Sequence, residues 1–340
     1  MKILIIKTSS LGDVIHTFPA VTDAANAIPG ARFDWVVEEA FHEVPGWHPV
    51  VERVIPVAIR RWRKGWLTAR RSGEIAAFRQ QLAAERYDLI IDAQGLIKSA
   101  LIARMAQGER AGLDRRSARE PLAALAYHHH YPVPRAMHAI ERVRSLFAQA
   151  LDYPNLSDEP DYGIESTSTP EAGKPYLLFL HGTTWTTKLW PEAYWKELAQ
   201  IAGEAGYEIH LPWGSEAERE RAEWIASVVP AARQLPKLGL SELKEELSGA
   251  AGVVGVDSGL AHLAAALSIP AVTLYGPTRT DLTGALGRNQ INLQAEFSCA
   301  PCMRKACDYQ GEAAVQPACF QSLPPRQVWE RLQIQMGVAG

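Results

Sequence analysis

Residues 1–20, MKILIIKTSSLGDVIHTFPA, join an apolar strand to a short polar turn. Lys2 to Ile6 are predicted to form a buried strand of a parallel sheet, because four consecutive aliphatic residues leave no polar face for solvent. The turn from Thr8 to Gly12 contains small residues that bend tightly. Asp13 then lies in the first turn of a helix that is predicted to continue through Val21. This succession favours an open α/β fold.

Asp13 admits two interpretations at this point. Its carboxylate is predicted at the carboxyl edge of the sheet, where open α/β folds bind ligands. A carboxylate near a helix N-terminus is also favoured by the helix dipole, without any catalytic role. The stretch alone leaves both interpretations open.

The length of 340 residues predicts two domains. A stretch rich in Pro, Ser, Thr, Asp and Glu interrupts the α/β pattern near the middle of the chain and is typical of a linker. We therefore expect an N-terminal domain over 1–155, a linker over 156–174 and a C-terminal domain over 175–340.

Composition and charge exclude several classes of protein. A charged content of 21% and a net charge of −3 give no global attraction to nucleic acid or to anionic lipid, so an anionic partner requires a local basic patch. No run of about 18 apolar residues is present to span a bilayer. The sequence predicts a cytoplasmic location, at most at a membrane surface.

Strands and helices alternate along both halves, which predicts doubly wound parallel sheets. Clear strand patterns are FDWVVE at 33–38, YDLIID at 87–92 and YLLFL at 176–180. The loop that follows residue 92 is predicted to place Gln94, Gly95 and Lys98 on the same rim as Asp13.

The most basic stretch is IPVAIRRWRKGWLTARR, residues 55–71. Clustered cations fit phosphates or carboxylates, and Trp62 and Trp66 fit a sugar face, a base or a membrane interface. A solvated amphipathic helix with a buried tryptophan is the alternative. Arg119 adds charge further along the chain. His128 to His130 are consecutive, so their side chains diverge and surface positions are favoured over a metal site.

Polar loops follow the strands of the C-terminal half. Hydroxyls and a lysine after a buried strand form a plausible phosphate cradle, although the order of residues is not that of a Walker motif. A second such loop opens a helix, where backbone N–H groups can receive a pyrophosphate. The candidate residues of this half are Thr183, Thr184, Lys188, Glu218, Asp257, Ser258, Gly259 and His262.

Taken together, the two halves indicate group transfer. The C-terminal half carries phosphate-type loops, and the N-terminal half carries a carboxylate and a basic surface. A nucleotide-linked donor and an anionic acceptor fit this division, with the substrates bound in a cleft between domains. The spacing of residues does not identify the transferred group.

Several segments resemble the lipopolysaccharide heptosyltransferases, most closely those of type I. They include KTSSLGDVIHTFPA at 7–20, VIPVAIRRWRK at 54–64, FLHGTTWTTKLWP at 179–191 and VDSGLAHLAAAL at 256–267. The resemblance implies an α/β GT-B fold, with two Rossmann-like domains facing across a cleft. It also implies inverting transfer of L-glycero-D-manno-heptose from ADP-heptose to Kdo–lipid A, without a metal ion or other cofactor and without a nucleic-acid partner. The expected location is the cytoplasmic face of the inner membrane, in peripheral contact with it.

The resemblance also implies roles for single residues. Asp13 would be the general base that takes the proton from the acceptor hydroxyl. Donor contacts would come from Thr183, Thr184, Lys188, Glu218, Asp257, Ser258, Gly259 and His262, with Ser258 standing where the family is expected to carry threonine. Acceptor contacts would come from Arg60, Arg61, Arg63, Lys64, Lys98 and Arg119. Trp62 and Trp66 would then face the membrane, which is an inference beyond the resemblance.

The C-terminal tail departs from the type I pattern. Its four cysteines, Cys299, Cys302, Cys307 and Cys319, are compatible with a structural zinc site, with disulfides or with free thiols. Two alternative functions stay open: a type II or related transferase that acts on a later core sugar, and a non-catalytic module that binds a nucleotide sugar or RNA.

Overall fold

The computed structural model describes residues 1–154, 159–166 and 174–338. The chain divides into two compact units, Met1–Ile164 and Glu165–Gly340. Most of the predicted linker, 156–174, lies outside the described residues. Among the helices that are described, none has the length and apolar character needed to cross a membrane.

The first unit contains a six-stranded parallel sheet. In chain order its strands are β1 (Lys2–Ile6), β2 (Arg32–Glu38), β3 (Val51–Val57), β4 (Arg86–Asp92), β5 (Gln107–Leu113) and β6 (His129–Tyr131). They are arranged in space as β3-β2-β1-β4-β5-β6. The order reverses direction beside β1, so the loops after β1 and β4 diverge and leave a crevice for a ligand.

Helices cover both faces of this sheet. They are α1 (Leu11–Ile15), α2 (Phe18–Ala27), α3 (Ile59–Lys64), α4 (Trp66–Arg71), α5 (Glu74–Ala83), α6 (Ile97–Ala103) and α7 (Ala139–Leu151). A short 3₁₀ helix, Pro121–Ala126, lies beside α6.

The single helix predicted from Asp13 through Val21 is wrong. The chain forms α1, ends it at His16 and starts α2 at Phe18. Pro19 in the first turn of α2 has no N–H to continue a hydrogen-bond ladder from α1. The Thr17 hydroxyl instead donates to the Asp13 carbonyl at 3.0 Å, which helps to close the end of α1.

The second unit repeats the arrangement. Its parallel strands are β7 (Tyr176–Leu180), β8 (Glu208–Leu211), β9 (Ala232–Gln234), β10 (Gly252–Val256), β11 (Ala271–Tyr275) and β12 (Gln290–Gln294). Their order in space is β12-β11-β10-β7-β8-β9, with the reversal beside β7. The helices are α8 (Glu192–Glu204), α9 (Glu216–Val228), α10 (Leu240–Ser248), α11 (Gly259–Ala266), α12 (Thr280–Thr283) and α13 (Pro325–Met336). The prediction of two doubly wound, Rossmann-like parallel sheets is confirmed.

A buried ion pair joins α2 to α7 on one face of the first sheet. The Arg144 Nε atom lies 2.7 Å from Asp23 Oδ2, and the two side chains are 2% and 5% exposed. A buried charge that loses its partner is strongly destabilising, because its desolvation is no longer compensated. The pair therefore makes the packing of α2 against α7 sensitive to either residue.

We predict that Asp23→Ala lowers the free energy of unfolding by about 3 kcal/mol, because it removes the buried carboxylate that faces the Arg144 guanidinium, which also pairs with the partly exposed Glu141 at 3.0 Å. Urea denaturation followed by circular dichroism measures this change. Glu216→Ala is the matched control: it removes a carboxylate from the exposed pair with Arg219 and is expected to cost less than about 1 kcal/mol. Equal losses in the two variants would contradict the prediction.

Candidate active site

The loops after β1 and β4 are tied together by Gln94. Its side-chain oxygen accepts hydrogen bonds from the backbone N–H groups of Thr8 at 2.9 Å and Ser9 at 3.2 Å. Its amide nitrogen donates to the Ser9 carbonyl at 2.8 Å. The Lys98 ammonium group lies 3.4 Å from the Ser9 hydroxyl. Gln94 and Lys98 thus share the rim with the loop that leads to Asp13, as predicted.

Asp13 caps α1. Its Oδ2 atom accepts hydrogen bonds from the Ser10 N–H at 2.6 Å and the Ser10 hydroxyl at 3.1 Å. Within the described part of the chain, Oδ1 accepts no hydrogen bond. The two interpretations of Asp13 are therefore compatible, because one carboxylate oxygen holds the helix start and the other is available to a substrate.

Lys7 lies at the end of β1, close to Asp13, and sequence reasoning missed it. Its ammonium group donates to the Ala93 carbonyl at 2.9 Å, and the residue is 7% exposed. Burial lowers the pKa of Lys7, while the carboxylates of Asp13 and Asp92 oppose this and the Arg142 guanidinium adds to it. The sequence feature that could have identified Lys7 is its position directly after a buried strand, because such a residue lies at the carboxyl edge of the sheet.

Asp92 stabilises the loop that follows β4 at this edge. The residue is fully buried at the end of β4, and burial raises the pKa of its carboxyl group. Its oxygens accept hydrogen bonds from the Tyr127 hydroxyl at 2.7 Å and the Gln94 N–H at 2.9 Å. Gly112 makes room for the Tyr127 ring, because a Cβ atom there would overlap it. These contacts fix the Gln94 loop.

The basic stretch forms α3 and α4. The Arg60 N–H donates to Glu38 Oε1 at 2.9 Å, and its guanidinium lies 5.4 Å from the centre of the Phe41 ring. Arg61 is paired with Glu39 at 3.0 Å and Glu74 at 2.7 Å, so its charge is already compensated.

Arg63 and Lys64 are exposed and form no ion pair with any described residue. Trp62 is partly buried, with its ring 5.6 Å from that of Phe78 and its N–H bonded to Glu74 at 3.0 Å. Trp66 is exposed. The inference that both tryptophans face a membrane is therefore wrong for Trp62, which packs against the first unit.

Two more arginines border the rim. Arg119 is exposed, and the next residue, Glu120, donates its N–H to the Gly95 carbonyl at 3.1 Å. Arg142 donates to the Ser117 carbonyl at 2.9 Å, and its buried Nε atom has no hydrogen-bond partner among the described residues. Burial and the nearby Arg135 lower the pKa of Arg142. Sequence reasoning did not select Arg142, whose local pattern is that of an ordinary helix residue.

In the second unit, predicted residues converge on Asp257, at the end of β10. Its Oδ2 atom lies 2.7 Å from the Lys188 ammonium group and accepts the Thr278 hydroxyl at 2.6 Å. Its Oδ1 atom lies 3.8 Å from His262 Nε2. The Thr183 hydroxyl donates to the Asp257 carbonyl at 3.2 Å. Thr278 was not predicted.

The start of α11 leaves donors for an anion. Ser258 is the N-cap residue, but its side chain makes no capping hydrogen bond to the helix. The first N–H groups of an α-helix, from Gly259 onward, lack partners within the helix and sit at the positive end of its dipole. The position next to Lys188 and Asp257 is therefore suited to a phosphate group.

Glu218 and Thr184 complete the predicted donor residues. Glu218 caps α9, accepting from the Gly214 N–H at 2.8 Å and the Ser215 N–H at 3.0 Å. Gly182, just after β7, leaves space for this carboxylate, since a Cβ atom there would overlap it. Thr184 is exposed on the same loop. The structure thus brings Glu218 to the loop that carries Thr183 and Thr184.

The cysteine-bearing tail packs on this loop, which sequence reasoning did not anticipate. The Thr187 hydroxyl donates to the Arg304 carbonyl at 2.6 Å, and the Thr186 hydroxyl donates to the Lys305 carbonyl at 2.9 Å. The Trp185 ring has the ammonium groups of Lys188 and Lys305 at 4.7 and 5.6 Å from its centre. The tail therefore helps to hold the loop that carries Lys188.

The four cysteines are free thiols. Cys319 is buried, and burial together with the nearby thiols of Cys299, Cys302 and Cys307 raises its pKa to about 12. In the parts of the chain that the structure describes, no three His, Cys, Asp or Glu side chains are arranged to hold a metal ion. His128 and His129 contact Glu109 on the surface, while His130 contacts the Ala124 carbonyl.

Known proteins resemble this chain in sequence. Residues 75–312 match the family model of glycosyltransferase family 9 (heptosyltransferase). Lipopolysaccharide heptosyltransferase 1 of Pseudomonas aeruginosa is 54% identical, over 98% of this chain and 97% of its own. Lipopolysaccharide heptosyltransferase 2 of Escherichia coli is 27% identical over 84% of this chain and 86% of its own.

A solved structure agrees with these relatives. The Escherichia coli heptosyltransferase WaaC with ADP has a TM-score of 0.83 and 49% identity, covering 87% of this chain and 94% of that chain. This match supports the GT-B type of α/β fold that the sequence predicted. The chain therefore belongs to glycosyltransferase family 9, the heptosyltransferases.

Proposed function

We propose that this glycosyltransferase moves L-glycero-D-manno-heptose from ADP-heptose to a Kdo residue of Kdo–lipid A, in the synthesis of the lipopolysaccharide inner core. The observation that carries the proposal is 54% identity over nearly the whole chain to a heptosyltransferase 1. The lower identity of 27% to a heptosyltransferase 2 favours the first heptose over a later one. The reaction takes place at the cytoplasmic face of the inner membrane.

The donor is bound by the second unit. Its diphosphate lies at the start of α11, against the free N–H groups that follow Ser258 and against Lys188. Thr183, Thr184 and His262 contribute further polar contacts, and Glu218 contacts the adenosine portion. Asp257 orients Lys188 through their ion pair at 2.7 Å. This assignment is supported by the convergence of these residues beside one strand end.

The acceptor is bound by the first unit. Its carboxylates and phosphates are anionic and match exposed or partly exposed cations of this unit. Arg60, Arg63, Lys64, Lys98 and Arg119 supply these contacts. Arg142, with its unpartnered Nε atom, is added to this set. Arg61 contributes less than its neighbours, because two carboxylates already compensate its charge.

Catalysis follows from these positions. Asp13 accepts the proton of the acceptor hydroxyl through Oδ1 as the hydroxyl oxygen attacks the anomeric carbon. The bond from that carbon to the diphosphate oxygen breaks, and ADP leaves with the bonding electrons. Attack from the face opposite ADP inverts the configuration. Lys188 and the α11 N-terminus stabilise the charge that develops on the leaving diphosphate.

The acceptor assignment is tested by incubating the purified protein with labelled ADP-heptose and either Kdo–lipid A or an acceptor that already carries one heptose. We expect label to enter Kdo–lipid A. Transfer only to the heptosylated acceptor would overturn the proposal in favour of a type II enzyme. ADP binding without transfer to any acceptor would indicate a non-catalytic module.

The Asp13→Asn variant distinguishes the proposed role of Asp13 as general base from its role in capping α1. The amide oxygen of asparagine can still accept the Ser10 hydrogen bonds, but it cannot take the acceptor proton. We predict that kcat falls by about 10² to 10⁴-fold while ADP affinity changes little. Steady-state kinetics and calorimetric ADP titration measure the two effects.

Ser10→Ala is the control for the Asp13 variant. It removes the hydroxyl that donates to Asp13 Oδ2 and leaves the carboxylate in place. It should retain most of the activity. A kcat close to that of the wild type in Asp13→Asn would assign Asp13 to the helix cap alone.

Lys188→Met is predicted to lower kcat/KM for ADP-heptose by about a hundredfold, because the departing ADP loses a cation. Initial rates at varied donor concentration measure this ratio. Lys196→Met, on α8, removes the same charge elsewhere in the second unit and should leave the ratio unchanged. A similar ratio in both variants would remove Lys188 from the donor site. Thermal unfolding of each variant checks that the fold is retained.

A further inference from the structure

An apolar surface lies on the first unit, formed by α6 and the adjacent 3₁₀ helix Pro121–Ala126. Ile97 and Leu101 are 41% and 53% exposed and lie one turn apart on α6. Leu122 and Leu125 are 57% and 67% exposed and lie one turn apart on the 3₁₀ helix. We refer to these four side chains as the leucine surface.

Small residues bring the two helices together. Ala100 packs with Ala123, Ala124, Ala126 and Tyr127 in a compact buried cluster. The carboxylate of Glu120 also accepts the Ile97 N–H at 2.6 Å. Because the facing sides are alanines, the helices approach closely, and the larger side chains are left on the outer side. The two exposed pairs of the leucine surface therefore lie on adjacent, closely packed helices.

Cations border this patch. Leu125 lines the same surface cavity as Arg115 and Arg116, so the guanidinium groups adjoin the apolar side chains. Arg104 is exposed at the end of α6, and Arg119 is exposed just before the 3₁₀ helix. These four arginines form no ion pair with any residue that the structure describes.

The two nearby carboxylates, Asp114 and Glu120, offset only part of the charge of the four arginines, and both also accept backbone N–H groups. Asp114 accepts hydrogen bonds from the backbone N–H groups of Arg116 at 3.1 Å and Ser117 at 2.7 Å. Glu120 is held by the Ile97 N–H, as described above. The border of the leucine surface therefore keeps a net positive charge.

We propose that the leucine surface and its arginine border bind the surface of an anionic phospholipid bilayer. Large apolar side chains enter the boundary between headgroups and acyl chains, while unpaired arginines meet lipid phosphates. A second copy of the chain fits less well, because a two-fold contact through this patch would bring like-charged arginines together. The chemistry of the patch thus favours lipid over a copy of the protein.

This surface also bears on the active site, a link that rests on the proposed function. Lys98 lies between Ile97 and Leu101 in sequence on α6, and its ammonium group reaches the Ser9 hydroxyl in the loop before Asp13. Lipid contact through α6 therefore brings the Asp13 loop next to the bilayer. A lipid-anchored acceptor then presents its sugar to Asp13 without leaving the membrane.

Vesicle flotation tests the proposal with the full-length protein. The wild type should bind vesicles of phosphatidylglycerol and phosphatidylethanolamine and should release from them at high salt, whereas it should bind phosphatidylcholine vesicles weakly. Leu101→Ser/Leu125→Ser should lower the binding constant by at least about tenfold. Arg115→Gln/Arg116→Gln should lower it by about thirtyfold, since each charge near an anionic surface contributes about a fivefold factor.

Ile334→Ser/Val338→Ser is the matched control, because it removes two exposed apolar side chains from the second unit. It should bind vesicles like the wild type. Equal binding by the Leu101/Leu125 variant and the wild type, or loss of binding in Trp66→Ser alone, would overturn the assignment of this surface. A wild-type dimer that the Leu101/Leu125 variant converts to a monomer, without vesicle binding, would instead identify a contact between copies.

A kinetic comparison separates this inference from the proposed function. The Leu101/Leu125 variant should keep the wild-type kcat on a deacylated, water-soluble acceptor and should lose rate on an acceptor embedded in vesicles. Equal rates on both acceptors would contradict the inference. A wild type that binds vesicles but transfers heptose to neither acceptor would contradict the proposed function and leave the lipid surface supported.

Discussion

The reversal of strand order beside β1 and beside β7 is the constraint on which both units depend. In a parallel sheet, each crossover helix lies on one face, and the face changes where the order reverses. The two loops at that point therefore separate, and their backbone groups are left without neighbours in the sheet. In the first unit Gln94 satisfies several of these groups, bonding to Thr8 and Ser9. In the second unit Asp257 has the corresponding position and gathers Lys188, Thr183 and Thr278.

In the proposed mechanism, the Asp13 carboxylate has both a structural and a chemical role. A short helix such as α1 has few internal hydrogen bonds, so it needs the cap that Oδ2 provides. The same cap fixes the rotation of the carboxylate and therefore the position of Oδ1. Lys7 lies close by in a buried position, where burial lowers its pKa and the Asp13 carboxylate opposes this shift. The position of the proposed catalytic base is therefore set by the hydrogen bonds that begin α1.

The sequence predicted the central strands well and the edges poorly, for a physical reason. Ile3 to Ile6 and Leu177 to Leu180 are buried on both faces, so they form unbroken apolar runs. The edge strands β6 and β9 contain exposed polar residues and gave no such signal. Candidate residues that follow central strands, such as Lys98 and Asp257, were located because parallel strands end at one edge.

Residues whose role depends on distant neighbours were not predictable in this way. The hydrogen bond and the pKa of Lys7 depend on Ala93 and Asp92. Those of Arg142 depend on Ser117 and Arg135. None of these neighbours is adjacent in sequence. Similarly, Trp62 appeared equivalent to Trp66 until its contacts with Phe78 and Glu74 were known. Local patterns indicate which residues can bind a ligand, but the packed fold decides which of them are already engaged.

Ion pairing leaves charge unevenly distributed over the protein surface, and this bears on the proposed contact with a membrane. The chain has a net charge of −3, so uniform electrostatics would repel an anionic surface. Many carboxylates, however, are engaged in ion pairs, as Glu39 and Glu74 are with Arg61 and Asp23 is with Arg144. The arginines beside the leucine surface form no ion pair with the described residues, so positive charge is concentrated there. Screening at physiological salt acts over about 8 Å, so this local charge governs contact while the net charge of the whole chain matters little.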